Sequence, residues 1–221
     1  IASHELRTPL GLVLGHATFL RELIDDEQQI TQVDIIIRNA TRLKTIVEEL
    51  SNVNGFLTGS VRYHVKLVQM NALVQKICAQ HSEFANQRQI NLSNKLLVQD
   101  VQIEGDEEKL GIAIGNLVKN ALVFTNPHGH VIVALESLAG FIQVSVEDDG
   151  IGIPSNELSK IFERFYQVQS HLTRKHGGMG LGLSVTKSMV EMHKGQIWVE
   201  SEGYDPEKLP GSRFCILLPA C

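Results

Sequence analysis

A histidine followed directly by a glutamate, His4-Glu5, stands within Ser3-His4-Glu5-Leu6-Arg7-Thr8-Pro9-Leu10 of a chain of 221 residues. A neutral imidazole keeps a lone pair free near neutral pH and is a competent phosphoryl acceptor. An adjacent carboxylate can take or orient the proton on the other ring nitrogen. Taken alone, the pair reads as well as two solvated polar residues at a helix start.

Three segments farther along could handle a nucleotide. Asn116 and Asn120, in Asn116-Leu117-Val118-Lys119-Asn120-Ala121, lie four apart on one helical face and bring two amide oxygens toward one spot. That suits phosphate and magnesium, which takes oxygen ligands and keeps several waters; by itself the motif reads equally as two amides bonding local backbone. In Asp148-Asp149-Gly150-Ile151-Gly152-Ile153-Pro154, a carboxylate at Asp148 can accept the exocyclic amine of adenine. Gly150 and Gly152 let the backbone turn tightly beside the ring; alone, the run is an ordinary acidic turn. Gly177-Gly178-Met179-Gly180-Leu181-Gly182-Leu183 runs into an apolar helix, where exposed amides and the helix dipole cradle phosphate. It is neither a Walker loop nor placed after a first strand as a dinucleotide fold requires.

The elements that must position these residues follow from periodicity. Leu6, Leu10, Val13, Ala17, Leu20 and Ile24 are spaced alternately four and three apart, and Val33, Ile36, Ala40, Leu43, Val47 and Leu50 repeat the pattern after Asp25-Asp26-Glu27. Two antiparallel helices cannot enclose a core, and Ile30, Ile35, Ile37 and Ile46 also need cover. A second hairpin from another copy supplies it, giving a homodimeric four-helix bundle. Pro9 falls inside the first helix, below His4, where it removes a backbone bond and predicts a kink. Ser51 to Ser60, with Asn52, Asn54, Gly55 and Gly59, reads as helix end and linker. Strands are expected over 61–68, 90–96, 101–104, 131–136, 141–147, 196–200 and 212–218, and helices over 71–85, 107–122 and 180–192. The fold class is therefore α+β, with helices on one face of a mixed sheet behind the helical hairpin.

Composition narrows the partners. A net charge of −5 argues against nucleic acid, and no Lys/Arg run suggests a membrane patch. No apolar stretch reaches the ~20 residues that span a bilayer, and no signal peptide is present. Cys78, Cys215 and Cys221 are too few and too far apart for a disulfide framework or a metal site, which fits a reducing, cytoplasmic compartment. The uncapped opening, already in helical phase, suggests a longer parent cut inside a helix. His128 and His130 lack a third ligand and read as loop polarity. Gly111 and Gly115 read as close-packing positions, and Cys78 and Cys215 as inert core residues.

In this order and at these separations, the octapeptide around His4, the asparagine pair, the two glycine segments and Ile161-Phe162-Glu163-Arg164-Phe165-Tyr166 resemble the boxes of the sensor histidine kinases of two-component systems. The resemblance covers nearly the whole chain. It implies a dimerisation and phosphotransfer hairpin (1–54), a linker (55–60) and a Bergerat-type ATP-binding α/β sandwich (61–221). It implies ATP and Mg²⁺, with catalytic His4, Glu5 and Thr8, the last positioning water for dephosphorylation of the partner. It assigns adenine to Asp148, Mg²⁺ to Asn120, and phosphates and metal to Asn116. Gly150, Gly152, Gly178, Gly180, Gly182 and Leu183 complete the nucleotide site, and Glu163 to His176 form its lid. The implied reaction is autophosphorylation of His4, followed by transfer to an aspartate on a response-regulator receiver domain. Gly11 and Gly15, in line with His4 and Thr8, leave bare backbone that reads equally as a docking strip for that partner's helix or as tight packing within the hairpin. Two positions depart from the pattern: Val123 replaces a lysine placed near phosphate, and Gln167 replaces a frequent arginine. Arg174 or Lys175 is expected to compensate. These departures motivate an alternative function, a degenerate dimeric scaffold that binds nucleotide without turnover.

Overall fold

The computed structural model describes residues 2–57, 63–99, 101–168 and 180–221, with no description of the side chains of 2–7, 42 and 45–57. The chain divides into two compact units, 1–61 and 62–221.

The first unit is a hairpin of α1 (Ala2–Leu23) and α2 (Glu27–Leu57). Asp26 caps α2 by accepting the Gln29 N–H at 2.9 Å, which is why the acidic break after Ile24 starts a new helix rather than a loop. Arg21 pairs with Asp34 across the hairpin. Ala17, Val33 and Ala40 are buried between the helices, whereas Val13, Leu20, Ile36 and Leu43 are each about half exposed, at 48–49%. The periodic stripe thus splits into an inner seam and an unfilled outer one. Pro9 lies inside α1. Asn52, Asn54 and Gly55, expected to end α2, lie within it, because the helix continues to Leu57. Each such residue costs no more than about 1 kcal/mol of helix propensity, too little to stop an established ladder of backbone bonds.

In the second unit β1 (Lys66–Gln69) pairs antiparallel with β3 (Gln102–Gly105). Of the strand expected over 61–68, residues 61 and 62 lie outside the described residues and 63–65 are not in a strand, so the described ladder begins at the Lys66↔Gly105 pair. The main sheet has the order β2-β4-β5-β7-β6, built from β2 (Asn91–Lys95), β4 (His130–Leu138), β5 (Phe141–Asp148), β7 (Ser212–Pro219) and β6 (Gln196–Glu200). Only β2–β4 is parallel, so the sheet is mixed as expected. Helices α3 (Met70–Gln87), α4 (Glu107–Phe124) and α5 (Gly182–Met192) pack on the sheet and on one another.

The register explains the core. Val133↔Val146↔Phe214 and Leu135↔Val144↔Ile216 run in rows across three strands, all buried. Over them lies α4, whose Leu110, Ala113, Ile114, Leu117, Val118, Ala121 and Leu122 are sealed from solvent. Gly111 and Gly115 face α3, but a Cβ on either would make only ordinary van der Waals contact, with Leu73 at 3.7 Å or His81 at 3.5 Å, so the packing does not require glycine there. Asp106 caps α4 by accepting the Glu108 and Lys109 N–H groups at 3.1 and 3.2 Å and the His64 N–H at 3.0 Å. Its own N–H donates to Nε2 of buried His193 at 2.9 Å, whose Nδ1 bonds the Met189 carbonyl at 2.7 Å. His193 is thereby fixed as the neutral Nδ1–H tautomer and ties the end of α5 to the start of α4. Cys78 and Cys215 are buried, and burial pushes the Cys215 thiol up to about 11, so neither is a nucleophile at neutral pH.

Candidate functional site

Helix α4 places its asparagines on one stripe. Asn116 Nδ2 donates to the Gly182 carbonyl at 3.3 Å and to Thr186 Oγ1 at 3.4 Å, joining α4 to the first turn of α5. Two turns on, the Phe124 carbonyl accepts the Ile151 N–H at 3.4 Å, joining the end of α4 to the turn after β5. Asn120 lies between these anchors on the same stripe, half-buried, and its amide makes no hydrogen bond among the described residues. A half-buried amide with unfilled capacity fits a ligand that brings its own polar atoms. The chemistry is right for magnesium, which a single protein oxygen plus phosphate oxygens and waters can hold. Among the described residues no cluster of three His, Cys, Asp or Glu suits a metal.

Asp148 ends β5, on the face that carries the buried Val144 and Val146. Its Oδ1 accepts the Gly150 N–H at 3.0 Å and its Oδ2 the Ser212 hydroxyl at 2.7 Å. Both oxygens retain lone pairs for a further donor. Burial pushes the carboxyl up to about 6, against the opposing pull of the Ser212 and Gly150 bonds. A carboxylate kept dry and aimed by two donors, with a free acceptor position, is suited to an exocyclic amine. Asp149 points elsewhere: it accepts the His130 N–H at 2.7 Å and pairs with its ring Nδ1 at 3.0 Å, pinning the start of β4. His130 is thus structural.

Gly150 is required sterically, since a Cβ would collide with the Phe124 carbonyl and Asp148 Oδ1. Gly152 has φ +72° and would drive a Cβ into the Gly203 carbonyl. Here the glycines do what the sequence proposed for them, a tight turn without side-chain bulk.

Gly180 precedes α5 rather than opening it. Its φ of +69° is not helical, and the helix starts at Gly182. Its carbonyl accepts the Phe165 N–H at 2.9 Å, so the two flanks of 169–179 are joined. Leu183 is half-buried in the first turn of α5. Tyr166 bonds Glu157 through its hydroxyl. The lid expected over 163–176 is described only to Val168, and Gly178, Arg174 and Lys175 lie outside the described residues. His4 and Glu5 sit on α1, with side chains outside the description; Thr8 is exposed on the same helix.

The second unit therefore brings Asn116, Asn120, Asp148, Gly150, Gly152, Gly180, Gly182 and Leu183 onto segments tied to one another. Reading the sequence missed Ser212, which orients Asp148 across the strand pair Asp148↔Ser212, and Thr186, which shares the Asn116 amide. The hydroxyl opening the last strand after a glycine was the available signal for the first; nothing local marks the second.

Known proteins match this arrangement in both units. Residues 105–221 match the family model "Histidine kinase-, DNA gyrase B-, and HSP90-like ATPase", and residues 1–54 match "His Kinase A (phospho-acceptor) domain". The chain is 31% identical to the sensor histidine kinase WalK of Bacillus subtilis over 90% of its own length and 33% of that protein. It is 32% identical to the autoinducer 2 sensor kinase/phosphatase LuxQ of Vibrio vulnificus, over 98% of its own length and 25% of that protein. The chain thus spans a quarter to a third of these relatives. Among solved structures, histidine kinase ThkA in complex with the response regulator protein TrrA superimposes with a TM-score of 0.69 at 25% identity, covering all of this chain and 60% of that one. The chain accordingly belongs to the histidine kinase-, DNA gyrase B- and HSP90-like ATPase family, with a phospho-acceptor domain ahead of its ATPase fold, the pairing of a histidine kinase catalytic core.

Proposed function

We propose that this chain autophosphorylates His4 from ATP and passes the group to an aspartate of a response-regulator receiver domain. The observation that carries the nucleotide half of this reading is the α4 stripe. Asn120 keeps an unused amide between the α5 start and the turn that holds Asp148. Asp148 would accept the adenine amine, Asn120 would hold Mg²⁺, and Asn116, already bonded to Gly182, would steady the phosphates beside it. The α5 start, with Gly182 and Leu183, would lie along the phosphates, and Gly178 and Gly180 would frame the lid. Bound magnesium would neutralise charge on the transferring group.

At the acceptor, His4 supplies the nucleophilic nitrogen and Glu5 orients its proton, so alignment is most of what remains to be done. Thr8, one turn on, would position water for dephosphorylation of the regulator, a reading that the kinase/phosphatase relative supports. The regulator partner is supported by the ThkA complex, and its docking by the bare backbone of Gly11 and Gly15, beside which nothing lies within 4 Å. A homodimer is supported by the outer seam of Val13, Leu20, Ile36 and Leu43, which a second hairpin would cover. No described helix is long and apolar enough to cross a membrane.

Incubation with γ-labelled ATP separates this from the scaffold reading. A kinase acquires acid-labile, alkali-stable label that His4→Gln abolishes. A scaffold binds nucleotide and stays unlabelled.

A further inference from the structure

The turn that follows Asp148 is held by the loop between β6 and β7, residues 201–211, through hydrogen bonds to Gly150, Ile151 and Ile153. The Ser201 hydroxyl accepts the Ile153 N–H at 3.0 Å and donates to the Gly211 carbonyl at 2.7 Å, with the Gly203 carbonyl at 3.1 Å. The Gly211 N–H donates to the Gly150 carbonyl at 2.9 Å and the Asp205 N–H to the Ile151 carbonyl at 3.0 Å. Gly152 and Tyr204 form an antiparallel bridge. The loop keeps its own shape through Asp205, whose carboxylate accepts the Glu207 and Lys208 N–H groups at 2.9 and 3.0 Å.

We propose that this loop, through Ser201, is a positioning element that sets the base selectivity of the nucleotide site; the inference rests on the ATP reading above. Selectivity is a difference of affinities and needs a penalty against the wrong base. A carboxylate that accepts an adenine amine opposes the carbonyl that guanine places there, but only while it cannot retreat. Asp148 takes its aim partly from the Gly150 N–H, so slack in the turn becomes slack in the carboxylate. A half-buried hydroxyl joining three backbone segments removes that slack before any ligand arrives, which is how preorganisation supports both affinity and rejection. Ser201 touches no base in this account; it acts through the turn.

The test is calorimetric titration of the full chain with Mg·ATP and Mg·GTP, for wild type, Ser201→Ala, Ser201→Thr and Asp205→Ala, with melting temperatures alongside. Ser201→Ala is expected to weaken ATP by about tenfold, the scale of one lost positioning bond, and GTP by less, so that the ATP/GTP ratio shrinks. Ser201→Thr, which keeps the hydroxyl, restores the ratio, and Asp205→Ala shrinks it partly. An unchanged ratio overturns the inference, including the case in which both affinities fall together with the melting temperature. Where Ser201→Ala fails to fold, the Asp205→Ala ratio decides. A wild type that binds both nucleotides equally overturns this inference alone, whereas one that binds neither sinks the ATP reading and the inference with it.

Discussion

Helices α1 and α4 are both amphipathic, yet their apolar stripes end differently. The inward residues of α4 from Leu110 to Leu122 are sealed by the sheet and by α3 and α5, while Val13 and Leu20 of α1, with Ile36 and Leu43 of α2, stay half open to solvent. The nucleotide-binding unit closes its own core and can therefore hold polar groups such as Asn120 and Asp148 against a rigid support. The hairpin buries only a narrow seam of Ala17, Val33 and Ala40 and leaves the rest of its described apolar stripe open. One unit closes its core within a single chain; the other leaves an apolar seam half open, which the proposed homodimer would cover.

Asp148→Asn breaks the comparison most sharply on the nucleotide side. The raised carboxyl means that the folded state holds its proton more tightly than the unfolded chain. Burial therefore costs stability above pH of about 6, progressively less as pH falls, and nothing below the ordinary carboxylate value near 3.8. Removing the charge is expected to raise stability at pH 8, by on the order of 1–3 kcal/mol, while weakening ATP binding by at least about 100-fold. The wild-type affinity should likewise fall as pH drops through about 6. Thermal unfolding and titration calorimetry check both; a variant that loses stability and keeps its affinity would refute the role given to Asp148.

Ile36→Asp attacks the other side. Burying a carboxylate in the outer seam forfeits about 2 kcal/mol of apolar contact besides the desolvation cost, so light scattering at micromolar concentration should show the dimer dissociated, with ATP affinity unchanged. Persistence of a wild-type dimer, or a wild type that is monomeric, would contradict the division of labour. Val123→Lys should have the smallest effect, a gain in ATP affinity of about threefold to tenfold from one added charge near phosphate. Unchanged affinity and rate would show that the missing lysine is not a deficit.

What the sequence disclosed and what it withheld divide along range. The α4 stripe and the alternation of β4 and β5 are local periodicities, and they sit in the structure within two residues of their expected ends. Asp148 and the asparagines were legible because their spacing carries chemistry. Ser201, Thr186 and His193 were not, because their partners lie at Ile153, Asn116 and Asp106, and nothing near them in sequence announces those contacts. The end of α2 was misplaced for the opposite reason: Asn52, Asn54 and Gly55 are local signals that the longer helix overrode.

The account as a whole rests on phosphorus moving from nucleotide to one imidazole of α1, a helix that also carries the exposed His16. The most direct test is peptide mapping of the full chain after Mg·ATP treatment, digested at neutral to alkaline pH so that a phosphoramidate survives. The prediction is a single phosphorylated peptide, with the group on the His4 ring and His16 unmodified. Phosphate on His16, or a nucleotide-saturated chain with His4 unmodified, would contradict it.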